Sequence, residues 1–163
     1  MLRALDSRLL YAMRTRFHGQ TPEAIGKLLG RMGAHGAVWL AIGVVMAFID
    51  PDNGEDWVVA GILGPVAIGL NFVVKLIVRR PRPVLEGLPP LGGAPSSLSF
   101  PSGHATSSFA CATAMTRIAP EAAILLVLAA AISIGRPYLG MHYPSDVLAG
   151  ALLGIGLGLL APL

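Results

Sequence analysis

The stretch RPYLGMHYPSDVLAGALLGIGLGLL, residues 136–160, carries both halves of the fold argument. From Val147 to Leu160 it holds only apolar residues and glycine. Gly150, Gly154 and Gly158 recur every four positions, the small-xxx-small spacing with which helices pack closely in membranes. Pro144 suits the first turn of that helix. Just ahead lie Arg136, His142 and Asp146. His142 and Asp146 are four apart, so at helical spacing the carboxylate reaches one ring nitrogen. It thereby holds the tautomer, supports positive charge on the ring and leaves the other nitrogen free to attack. A His–Asp pair that merely caps a membrane helix satisfies the same segment.

Working outward, the rest of the chain has the same character. Of 163 residues, 54% are hydrophobic and 13% charged, against roughly a quarter charged in soluble domains. Lipid is therefore part of the solvent. The length suits one domain, 1–163. Apolar runs at 34–49, 57–78, 102–118, 121–139 and 144 onward predict an all-α integral membrane protein with about five transmembrane helices, a core over 34–163. Residues 1–33 contain Arg3, Arg8, Arg14, Arg16, Lys27 and Arg31, with leucines at helical spacing between the first of them. They read as an N-terminal amphipathic interfacial region, and Thr21-Pro22 as a helix start with Thr21 as cap. No cleavable signal peptide is recognised. A Pro/Gly/Ser-rich loop fills 79–101. The net charge of +3, without a dense basic run, excludes a nucleic-acid partner. The single Cys111, in a small apolar stretch, reads as packing.

Polar groups set in apolar sequence are costly and need a reason. Here they gather at helix ends: Lys75, Arg79, Arg80 and Arg82; then Ser102 and His104; then Arg136; then His142 and Asp146. Alternating helix direction places all four groups on one membrane face. In Pro101-Ser102-Gly103-His104, Ser102 is a natural N-cap, the helix start offers N–H groups to an anion, and Gly103 lets backbone approach a phosphate. Alone, it is equally a capped helix with an interfacial histidine. Arg79 and Arg80 read as headgroup-seeking cations, whereas Lys75 sits about a turn inside its helix. Asn71 reads as a hydrogen-bond partner for another helix. Together the segments supply cations, backbone donors, a nucleophilic imidazole and a second histidine, which is the equipment of phosphoryl transfer.

The three segments resemble the type 2 phosphatidic acid phosphatase superfamily, which also includes vanadium haloperoxidases. Lys75, Arg82 and Pro83 match K-x6-R-P; Pro101 to His104 match P-S-G-H; Arg136, His142 and Asp146 match S-R-x5-H-x3-D. Gly135 stands where the family has serine, with Ser133 two residues earlier, and Arg80-Pro81 offers a second register for the first motif. The resemblance covers about residues 75–150. It implies a PAP2-like helical bundle and a hydrolase of lipid phosphomonoesters. It also implies catalytic roles for His142 as nucleophile, His104 as acid and base, and Asp146 as the group that holds His142. Lys75, Arg82, Ser102, Gly103 and Arg136 would bind phosphate, with no metal and no cofactor. Residues 35–40 and 99–108 are most similar to the branch that dephosphorylates decaprenylphosphoryl-5-phosphoribose in cell-envelope biosynthesis. Undecaprenyl diphosphate and phosphatidylglycerophosphate stay open as substrates, as does a non-catalytic lipid-binding protein on the same fold. His35 is either a substrate contact or an ordinary interfacial histidine. Oligomeric state is also open.

Eleven of the twelve Lys and Arg fall on the site face and only Arg117 on the other, which carries Asp50, Asp52, Glu55, Asp56 and Glu121. The positive-inside rule then predicts a multi-pass protein of the cell membrane with its site at the cytoplasmic surface.

Overall fold

A computed structural model of the chain describes residues 2–16, 19–92 and 98–163. Residues 93–97 of the predicted loop, and the side chain of Arg3, lie outside the described residues. Among the described residues seven α-helices follow one another: α1 Leu2–Arg16, α2 Gln20–Met32, α3 Ala37–Ile49, α4 Gly54–Val78, α5 Gly103–Ile118, α6 Ile124–Tyr138 and α7 Pro144–Leu159. Tight single turns at Ala34–Gly36, Pro51–Asn53 and Pro120–Ala123 join neighbours. The helices α3 to α7 fall close to the predicted runs.

Among the described residues two stretches, Pro51–Val78 and Pro120–Tyr138, are long and apolar enough to cross a membrane alone. Gln20–Met32 and Ala34–Ile49, bent by 49°, make a third if taken as one span. The expected count of about five is therefore met by two or three helices on length and composition. The reason is visible in α5 and α7. The apolar α7 is short, and α5 carries Thr106, Ser107, Ser108, Thr113 and Thr116.

The helix α5 can be that polar because it is the central rod. Ala105, Thr106, Ser107, Ser108, Ala110, Cys111, Ala112, Ala114 and Met115 are all buried. Its buried hydroxyls are satisfied locally or by neighbours, as buried polar groups must be. Thr106 Oγ1 donates to the Ser102 carbonyl at 2.9 Å and accepts from Asn71 Nδ2 at 2.8 Å; Trp39 Nε1 donates to Ser108 Oγ at 3.1 Å. Asn71 thus ties α4 to α5, as its sequence position suggested. Cys111 is buried in the main apolar cluster with Trp39, Trp57, Met115 and Ile132.

On the other flank of α5 lies α7, seated on its glycines. A Cβ at Gly150, Gly154 or Gly158 would stand 2.6, 2.4 and 2.6 Å from the carbonyl oxygens of Ser102, Thr106 and Ala110. Only hydrogen fits there, so the two backbones touch. Outward-facing Phe48, Ile77, Ile124, Val127, Leu148, Leu152 and Leu160 give the bundle an apolar exterior.

The N-terminal region departs from a purely interfacial one. Leu10, Asp6 and Arg14 of α1 are buried, and Arg14 Nη2 donates to the Pro89 carbonyl at 2.5 Å. The helix α2 begins at Gln20 behind Gly19, with no side-chain cap, so Thr21 is inside the first turn rather than at the cap. Its Gly26 and Gly30 let it lie flat against the end of α6.

Candidate active site

The site is assembled from helix ends, for local reasons. At the start of α5, Ser102 Oγ accepts from Ala105 N as N-cap. At the start of α7, Pro144 occupies the first turn and the Asp146 carboxylate accepts from Tyr143 N at 2.8 Å, closing a capping box. Ser102 N donates to the Asp146 carbonyl at 2.9 Å and stitches the two starts together. The end of α4 brings Lys75, and the end of α6 brings Arg136.

These ends surround a cavity of about 660 Å³, within the range of small-molecule sites. Lys75, Arg82, Gly103, His104, Arg136 and His142 line it. Ser102 does not: it is fully buried beneath, with its N–H taken by Asp146. Asp146 is buried behind His142, with Oδ2 at 3.6 Å from Nδ1. At that distance the ring and the carboxylate are in polar contact, slightly beyond full hydrogen-bond length.

Geometry assigns the protons. Arg82 Nη1 lies 3.2 Å from His142 Nε2 and 2.6 Å from the Met141 carbonyl. A guanidinium only donates, so Nε2 must accept and the ring proton sits on Nδ1, toward Asp146. Burial pushes His142 down to about 4; the Asp146 contact pulls the other way and the charge of Arg82 adds to the lowering. The ring is therefore neutral at pH 7, with its Nε2 lone pair turned toward the cations. His104 Nε2 lies 3.0 Å from the Gly30 carbonyl of α2, which can only accept, so that nitrogen carries a proton. Lys75 Nζ is held by the Leu98 and Ser99 carbonyls at 2.8 and 3.3 Å. Among the described residues, no three His, Cys, Asp or Glu side chains gather as a metal site would require.

Behind His142 stands a network that sequence reasoning missed. Asp146 Oδ1 accepts from Arg80 Nη1 at 2.7 Å, and Oδ2 accepts from Ser99 Oγ. Arg80 Nη2 donates to Asp6 Oδ2 at 2.8 Å, and its guanidinium stacks 4.1 Å above the Tyr143 ring. Asp6 also accepts from Ser145 N at 3.0 Å and Ser145 Oγ at 2.5 Å. Arg80 is thus no headgroup cation, and of the two motif registers it is Arg82 that faces the cavity. The only sequence signal for Asp6 was an acidic residue among the arginines of α1. Gly135 faces the backbone of Gly26 in α2, with room for a Cβ at 3.8 Å, and Ser133 Oγ is buried without a hydrogen bond. His35 is exposed at the cavity rim in the left-handed region, φ 57°.

The chain is 38% identical over 135 residues to a decaprenylphosphoryl-5-phosphoribose phosphatase of Mycobacterium tuberculosis, covering 83% of this chain and 76% of the relative. Among solved structures, the transmembrane PAP2-type phosphatidylglycerolphosphate phosphatase of Bacillus subtilis superposes with a TM-score of 0.76 at 26% identity, over 98% of this chain and 83% of that one. LpxE of Aquifex aeolicus superposes with a TM-score of 0.79 at 26% identity, over 96% and 93%. The family model of the PAP2 superfamily matches residues 57–163, which take in every cavity-lining cation and histidine from Lys75 to His142, and the chain belongs to that superfamily.

Proposed function

We propose that the protein is a metal-independent lipid phosphatase working through a phosphohistidine, and that its substrate is a polyprenyl phosphoribose 5-phosphate of the decaprenylphosphoryl-5-phosphoribose type. The observation that carries the mechanism is the neutral His142 Nε2 aimed among Lys75, Arg82 and Arg136 with Asp146 behind it. The phosphomonoester seats on these cations and on the Gly103 end of α5, with Ser102 shaping that end as its cap. His142 Nε2 attacks phosphorus and the bond to the leaving alcohol oxygen breaks. Protonated His104 gives that oxygen a proton, and the arriving phosphate dianion favours the protonated ring. Asp146 stabilises the phosphorylated ring through Nδ1–H. His104 then takes a proton from water, which attacks phosphorus and returns His142 and inorganic phosphate.

The whole chain, 1–163, acts as one unit in this reading, since α1 and α2 both contact the site. The bacterial cell membrane is the setting, with five passes, α3 to α7, in alternating directions. The site faces the cytoplasm, because the cations gather at its end of the bundle. At the far end Arg117 is consumed as a cap, donating to the carbonyls of Gly158 and Ala161 at 2.9 and 2.8 Å. Labelling of an Asn53→Cys variant by an impermeant reagent from outside intact cells checks the orientation; labelling only after lysis would reverse it.

The deciding experiment is phosphate release in detergent with EDTA, comparing wild type and His142→Ala. The expectation is release that falls on the order of 10³-fold or more in the variant. Polyprenyl phosphoribose 5-phosphate should outrank phosphatidylglycerophosphate and undecaprenyl diphosphate. Release that survives in His142→Ala would remove the mechanism, and another best substrate would remove the assignment.

A further inference from the structure

The cavity is larger and more basic than one phosphoryl group requires. Beyond Lys75, Arg82 and Arg136 it is lined by Lys27 and Arg31, four residues apart on α2. Among the described residues no Asp or Glu lines it. Arg31 is exposed and has no acidic partner among those residues; Lys27 is held by Glu23 at 2.5 Å. A bound phosphomonoester brings about two negative charges, which the three inner cations already match. Arg31 is surplus to that pairing, and Lys27, which shares its charge with Glu23, stands beside it.

Their placement is not that of a free surface helix. Gly30, between them, lies against the Arg136 guanidinium: a Cβ there would stand 2.7 Å from Nη1. The Gly30 carbonyl also holds His104. The helix is therefore pinned to the inner site, and its two cations stand beside that pin. The side chains project from within about one helical turn, 5.4 Å, of the group that contacts both Arg136 and His104.

We infer that Lys27 and Arg31 form a second anion subsite at the cavity mouth, which takes a singly charged phosphodiester lying one small polar unit from the phosphomonoester being cleaved. This rests on the phosphatase reading above and narrows it: the preferred headgroup carries two phosphates, one cleaved and one gripped. The same charge also suits the phosphodiester of a neighbouring bilayer lipid, and the test separates the two sources.

The test uses the full chain in a phosphate-free maltoside detergent. Its substrates are a matched pair: a short-chain prenyl-phosphoryl ribose 5-phosphate, and the prenyl riboside 5-phosphate that lacks the diester. Wild type is expected to favour the first by on the order of tenfold or more in kcat/KM. In Lys27→Gln/Arg31→Gln that ratio should fall to about twofold or less, mainly through KM. A wild-type ratio near one, or a variant that slows both substrates equally, overturns the subsite. A KM effect that appears only when anionic phospholipid is added assigns the cations to the bilayer and also overturns it. Failure of wild type to hydrolyse either compound would instead strike the phosphatase reading.

Discussion

Asp6 lies far from the chemistry in sequence, yet its removal should be felt at His142. Asp6→Ala deletes the acceptor of three hydrogen bonds, from Arg80 Nη2, Ser145 N and Ser145 Oγ. A hydrogen bond to a charged group contributes about 1.5–3 kcal/mol. The Arg80 and Asp6 side chains are 21% and 8% exposed, so part of that is recovered by water. We expect a folded-state loss of about 2–3 kcal/mol. The catalytic loss comes through Arg80. Released at Nη2, its guanidinium no longer holds Asp146 Oδ1 in one place, and displacement of a supporting group by about 1 Å costs roughly 10²-fold. We expect kcat to drop about 10- to 100-fold, with KM little changed. Arg80→Ala should lose at least as much. Because both act through one guanidinium, the double variant should be no slower than Arg80→Ala, giving a coupling equal to the whole Asp6→Ala loss, about 1.4–2.7 kcal/mol. Single-turnover phosphate release on the four proteins, each checked by thermal unfolding in detergent, gives the cycle. Factors that multiply in the double variant would refute the clamp, as would an Asp6→Ala enzyme as fast as wild type.

Further outcomes follow from the same geometry. His142, pushed down to about 4 from an ordinary 6.5, should show no ring titration by NMR near neutral pH; a midpoint near the ordinary value would contradict its buried neutral state. Between those two values the unfolded chain binds a proton that the folded one does not, so stability should fall as pH drops through that window. For Asp6, burial raises the pKa but the Ser145 and Arg80 hydrogen bonds outweigh it, leaving it below 3.8. Its contribution is complete above that value and lost as pH falls through the folded pKa, so Asp6→Asn should flatten the acid limb of the melting curve. Ser99→Ala removes one donor from Asp146 Oδ2 and should lower kcat about three- to tenfold with the fold intact, read by phosphate release and circular dichroism. Asn71→Leu takes a donor from both Thr106 Oγ1 and the Pro101 carbonyl and should cost about 1–3 kcal/mol of stability, read by denaturation in mixed micelles.

What the sequence made legible, and what it did not, divides along one physical line. Lys75, His104, Arg136, His142 and Asp146 each stand at the end of an apolar run, and alternating runs bring such ends together whatever the packing details. The His142–Asp146 pair needed only helical spacing. Asp6, Ser99 and Arg80 meet Asp146 or its neighbours across 47 to 139 positions of chain, and no periodicity encodes such a meeting. Arg80 looked like a surface cation because its partner was invisible. The basic residues of α2 read as part of an amphipathic interfacial region because Gly26 and Gly30, which press that helix onto α6, carry no signal of their own. Ser102 was read as a phosphate ligand from its motif, but its hydroxyl caps α5 and its amide is spent on Asp146. The span count goes beyond what helix length and composition alone support, because α7 is short and α5 carries hydroxyls along its length.

The glycine seat of α7 separates two kinds of evolutionary freedom. Asp146 and its partner histidine are carried at one end of that helix, the proposed anion-binding turn at the matching end of α5, and their spacing is set by main chain against main chain. Almost any side-chain swap on the outward faces of Leu148, Leu152 and Val127 leaves that spacing alone. A lineage can therefore retool its lipid-facing coat for bilayers of other thickness, or for tails of other length and branching, without recalibrating the reaction centre. One added methyl on the inner seam does the reverse, shifting the chemistry while leaving the coat untouched.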